Sequence, residues 1–150
     1  PFDAFELFGG EDYYEQNGFQ TAKYYENREN GIHYPVVGSS DSHNQYGDFR
    51  PYDGKTIVFS PKNERKALIA SIKDFYTVVV DCVQLRMAGD FRFIKYGNFL
   101  LKNYFPIHDE YCFEEGRAMK GYVTGEEDAA ELLKILHGRT DKLLKKYFKF

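Results

Sequence analysis

Val36-Val37-Gly38-Ser39-Ser40-Asp41-Ser42-His43 is the stretch on which the reading of this chain turns. An apolar pair runs into a glycine and two small hydroxyl residues, then into Asp-Ser-His. The pattern predicts a short buried strand over 36–40 that presents polar ligands at its C-terminal end. Side chains two positions apart on a strand share a face. The carboxylate of Asp41 and the imidazole of His43 can therefore converge on one ion. Carboxylate oxygen with imidazole nitrogen suits Zn, Mn or Fe.

The neighbouring segments supply a frame for that strand. Residues 2–8 are mostly apolar and alternate poorly, as expected of a strand covered on both faces, and Gly9-Gly10 ends it. Residues 11–30 predict a helix with Tyr14, Phe19, Ala22 and Tyr25 as its apolar side, and Asn30-Gly31 as a helix stop. Residues 41–54 are rich in Gly, Asn, Asp and Tyr and read as a long surface loop. Strands are expected over 55–59 and 76–82, the second dense in β-branched residues. Between them Ser60-Pro61 reads as a helix start, with Ser60 as N-cap and Leu68, Ile69 and Ile72 as the apolar face.

A change of character follows. Phe91, Ile94, Phe99 and Leu100 are spaced helically, Pro106 breaks that helix, and 109–122 again looks helical. Thr124 with Glu127 has the spacing of a capping box, and Gly138 divides the last helical stretch in two. The expected organisation is an α/β part over 1–85 and a mostly helical extension over 86–150.

Composition narrows the function. The 150 residues carry a net charge of −3, which gives no electrostatic case for nucleic acid. No run approaches the ~18 apolar residues of a membrane span, and no signal peptide is visible. Cys82 and Cys112 are far apart and form no C-x-x-C, which points to two reduced thiols and a cytoplasmic protein. Nothing matches a nucleophile elbow or a phosphate-binding glycine loop, and no paired Cys/His set points to a nucleophile.

Gly38-Ser39-Ser40-Asp41-Ser42-His43 after an apolar strand resembles the last metal motif of the PHP (polymerase and histidinol phosphatase) superfamily. Phe2 to Gly10, the helical stretch ending at Asn30-Gly31-Ile32-His33-Tyr34-Pro35, and Thr56-Ile57-Val58-Phe59 with its following helix resemble the surrounding frame. The similarity spans roughly residues 2–80. It implies the C-terminal part of a distorted (β/α)7 barrel, with a helical tail packing on it. It also implies a metal-dependent phosphoesterase that hydrolyses a small phosphorylated substrate with metal-activated water. Asp41 and His43 become metal ligands for a divalent ion, Zn, Mn or Fe. Arg50 becomes a candidate for the substrate phosphate through its planar fork. Glu6 and Ser40 become supporting groups near the ion, and no residue is singled out as catalytic acid or base.

The family's opening H-x-H has no counterpart among His33, His43, His108 and His137, and the chain starts at Pro1. The expectation is therefore the C-terminal portion of a longer enzyme, inactive by itself and prone to pair as a homodimer. Two rivals stay open: a non-catalytic assembly or regulatory module derived from such a barrel, and a different metal-dependent hydrolase of amidohydrolase-like type. His33, His108 and His137 read as structural or solvated.

Overall fold

The computed structural model describes residues 2–9, 14–41 and 54–148. They divide into two compact units, Pro1–Gly97 and Asn98–Phe150.

The first unit opens with β1 (Phe5–Phe8), α1 (Tyr14–Glu29) and β2 (Val36–Gly38). β1 and β2 are parallel, pairing Phe5 with Val36 and Phe8 with Gly38, with a bulge between Glu6 and Phe8. α1 stops at Gly31, whose φ of +78° a side chain would resist. There the Ile32 amide donates to the Asn27 carbonyl (2.8 Å). The buried side of α1 is not the predicted one. Phe19 and Tyr25 are exposed, as is Ala22, and the helix buries Asn17 and Tyr24 instead. Tyr24 packs with Leu7, Phe8, Val36 and Val79 in one apolar cluster.

Next come β3 (Gly54–Val58), α2 (Arg65–Lys73), β4 (Thr77–Asp81) and β5 (Arg86–Gly89). They form an antiparallel sheet in the order β3-β4-β5. The chain is thus mixed α/β with two small sheets, and no closed barrel forms among the described residues. α2 starts later than Ser60 suggested. The Ser60 hydroxyl donates to the Lys62 carbonyl and holds a bend, and Glu64 takes the N-cap position.

All five residues of β4 are buried. Val79 faces the β1–β2 cluster. Val78 lies against Gly97 of α3 (Phe91–Asn103), where an added Cβ would come within 3.2 Å of it. A strand covered on both faces needs no alternation, which is why Thr77-Val78-Val79-Val80 reads as a continuous β-branched run.

Asp81 closes the β4–β5 hairpin. One carboxylate oxygen accepts the amides of Val83 (3.1 Å) and Gln84 (2.9 Å). The other accepts both Nε and Nη2 of Arg86, at 3.1 and 2.8 Å. The Arg86 guanidinium also lies 5.0 Å from the Phe8 ring centroid. Asp90 caps α3 through the Arg92 amide (2.9 Å). The Arg92 side-chain and backbone bonds hold its carboxyl below the ordinary 3.8.

The second unit contains α4 (Phe105–Thr124), α5 (Ala129–Leu136) and α6 (Arg139–Tyr147). Pro106 sits in the first turn of α4, where its missing N–H costs nothing. Thr124 does not start α5. Its hydroxyl returns to the Lys120 carbonyl at the end of α4 (3.0 Å), and Asp128 takes the α5 N-cap position. Gly121 brings α4 close to Ala129 of α5. Arg139 ties α6 to α4, bonding Glu114 at 2.6 Å and lying 3.9 Å from the Tyr111 ring centroid.

Asp81→Ala leaves two hairpin amides and a guanidinium without their acceptor. It is expected to cost about 2–4 kcal/mol, against about 1 kcal/mol for Asp90→Ala at a half-buried cap. Urea midpoints of the two variants at pH 7 check the ranking. The Asp90 contribution is present above its ordinary value and is lost as pH falls through the lowered one. The gap between wild type and Asp90→Ala therefore closes in strongly acidic buffer.

Candidate functional site

Parallel strands joined by a helix place both C-terminal ends on one edge, and ligands of such sheets gather there. In this chain that edge is the end of β1 with the residues just past β2. Its backbone is firmly held. Asn17, buried on α1, accepts the Gly9 amide (2.9 Å) and donates to the Gly9 carbonyl (3.0 Å). The Ser39 amide donates to the Phe8 carbonyl (3.0 Å). The Thr56 hydroxyl accepts the Gly38 amide (2.8 Å) and donates to the Gly38 carbonyl (2.6 Å).

The candidate side chains fall on this frame as follows. Glu6 is exposed, and its Oε1 accepts a hydrogen bond from Ser39 Oγ at 2.7 Å. Ser40 is half-buried, and Asp41 is exposed one residue further on. Asp41 has a φ of +49°, in the left-handed region that Asp tolerates better than most residues. His43 and Arg50 lie outside the described residues.

The donor chemistry at the edge, carboxylate oxygen from Asp41 with Glu6 bonded to Ser39 two residues before it, fits a hard or borderline divalent ion. Among the described residues no three His, Cys, Asp or Glu side chains are grouped to hold a metal. A catalytic zinc takes three protein ligands, more than the described residues bring together.

Three supports of this edge carry little signal in the sequence: Asn17, Thr56 and Gly54. Asn17 looks like any polar helix residue, and Thr56 like any strand threonine. Gly54 packs against the Ser39 carbonyl so closely that a Cβ there would overlap it. A glycine opening a β-branched run is the one hint that a backbone approaches.

Concavities among the described residues lie elsewhere. One of about 310 Å³ in the first unit is lined by Tyr24, Arg28, Thr77 and Asp90, among others. Another of about 730 Å³ lies between α4 and α5, lined by Phe113, Leu132 and Leu136 together with Glu110, Glu126 and Asp128. His33 and His137 are both exposed. Among the described residues no helix is long and apolar enough to cross a membrane.

In comparisons with known proteins, no family model, no curated protein and no solved structure matches the chain.

Gly54→Ala forces the Ser39 carbonyl to move and is expected to destabilise the chain by about 1–3 kcal/mol. Gly18→Ala, on an exposed helix position with open space around it, is expected to stabilise it by about 0.5–1 kcal/mol. Opposite shifts of the two urea midpoints check the close approach at Ser39.

Proposed function

We propose that this chain carries one corner of the metal site of a PHP-type phosphoesterase. The observation that carries the reading is Asp41, exposed at the C-terminal edge of a parallel β-α-β unit and set there by a left-handed backbone. A strand-end Asp two residues before a His is the arrangement that the motif resemblance implies. The bond from Ser39 to Glu6 supports it by tying the two strand ends together beside the ligand position.

Asp41 and His43 hold the ion in this reading, and Ser39 with Glu6 keeps the edge in register. The remaining ligands come from other strands of a longer chain. A divalent metal, when bound, supplies a water of lowered pKa and neutralises charge on a phosphate. Arg50, in the segment after the ligand pair, binds the substrate phosphate through its fork. The substrate class is a small phosphorylated compound.

The test uses the protein as encoded in full. Asp41→Ala and His43→Ala are expected to lower bound metal, read by mass spectrometry. They should also cut p-nitrophenyl phosphate hydrolysis by at least about a hundredfold, the usual scale for losing metal-ion stabilisation. His137→Ala, at the exposed end of α5, leaves both unchanged. Full metal content in the Asp41 and His43 variants would remove the basis of the reading. The 150-residue chain by itself is expected to turn over no faster than metal in buffer, since two protein ligands do not complete a catalytic site.

A further inference from the structure

On the first turns of α4, three side chains stand in the order of an activated nucleophile. Cys112 is an exposed, reduced thiol. Its Sγ lies 3.6 Å from Nε2 of His108 and 3.9 Å from Nδ1. His108 Nδ1 in turn lies 3.0 Å from Asp109 Oδ1. The sulfur is thus within reach of the ring nitrogens and nearer Nε2, and the carboxylate accepts a hydrogen bond from Nδ1–H. That bond favours the tautomer in which Nε2 is the ring's acceptor, and Nε2 is the nitrogen nearer the thiol sulfur, at 3.6 Å.

The ring is held as well as oriented. His108 stacks on Tyr104, with centroids 5.2 Å apart and planes 28° apart. Tyr104 is in turn packed edge-on by Tyr147 and Phe148. A base oriented by a third group and within reach of a thiol is the arrangement that generates a thiolate.

We propose that Cys112 is a site of covalent modification by small disulfides, with His108 as its general base and Asp109 as the group that orients that base. His108 Nε2 takes the thiol proton. The Cys112 sulfur attacks one sulfur of the small disulfide, a new S–S bond forms, and the disulfide's own S–S bond breaks. The leaving thiolate recovers the proton from His108. Cys112 is oxidised to a mixed disulfide, and half of the reagent is reduced to a thiol.

The neighbouring groups set limits on this chemistry. The negative charge of the Asp109 carboxylate opposes a thiolate at Cys112. The phenol of Tyr104 is pushed up by burial, then by the charges of Cys112 and Asp109, so it stays neutral beside the thiol. Once His108 holds the thiol proton, its charge favours the thiolate. Cys82, half-buried in the β4–β5 turn, serves as the internal comparison.

The full chain is treated with 2,2′-dipyridyl disulfide, and modification of each cysteine is followed by peptide mass. At pH 7, Cys112 is expected to react at least about tenfold faster than Cys82, as an assisted, accessible thiol does. His108→Phe keeps a ring on Tyr104 and removes the base. It should slow Cys112 at least about threefold at pH 7 and less than about twofold at pH 9.5, where a thiol ionises unaided. His108→Gln makes the same comparison should the Phe variant fail to fold, with the Cys82 rate reporting any unfolding. A Cys112 rate at pH 7 that changes less than about threefold in the folded variant overturns the proposal, because exposure alone would then set the rate.

Discussion

Two threonine hydroxyls join the parts of the first unit on which everything else rests. Among the described strands β2 is laddered only to β1, so its remaining polar backbone needs partners outside a sheet. Thr77 Oγ1, fully buried on β4, donates to the Val36 carbonyl (2.9 Å). Thr56 Oγ1 on β3 satisfies both the amide and the carbonyl of Gly38. A buried polar group left without a partner costs about 1–3 kcal/mol. These bonds therefore do more than add stability. They decide where along β3 and β4 the parallel pair can sit.

That placement carries through to the candidate site. Gly38 lies within a methyl's distance of the Phe8 carbonyl and the Val79 side chain, and Gly54 lies against Ser39. Neither position has room for a larger residue without moving the strand end. Ser39 is thereby fixed to Phe8 through its amide and to Glu6 through its hydroxyl. Asp41 follows two residues later. The exposed carboxylate thus sits on backbone whose position is set by buried contacts, which is how a rigid scaffold supports a polar site at its rim.

Much of this is legible in the residues. The β-branched run of β4, the positive-φ glycines at 31 and 138, and the proline opening α4 each act through local chemistry that survives in any context. Other features depend on partners far along the chain. The direction of β4 against β3 is antiparallel, and strand composition carries no direction. β5, Arg-Met-Ala-Gly, has no β-branched residue. It is a strand because Asp81 folds the preceding turn and anchors Arg86 beside it. On α1, Tyr24 and Asn17 are buried and Phe19 is not. The helix orients itself by the bonds of Asn17 to Gly9 as well as by its apolar residues, and hydrophobic periodicity is blind to that. At the site, Asp41 stands out through its motif, whereas Asn17, Thr56 and Gly54, which hold its edge, have no motif.

The central claim is that metal binds at the edge formed by the ends of β1 and β2, with Asp41 as a ligand. Paramagnetic broadening by Mn²⁺ reads location directly, and weak binding suffices for it. In a titration of the ¹⁵N-labelled chain, the account predicts that the amides of Gly9 and of Ser39, Ser40 and Asp41 lose intensity first. It also predicts that Asp41→Asn abolishes the effect. Broadening that begins instead around Glu126 to Ala129, in the acidic cleft between α4 and α5, and persists in Asp41→Asn would contradict it.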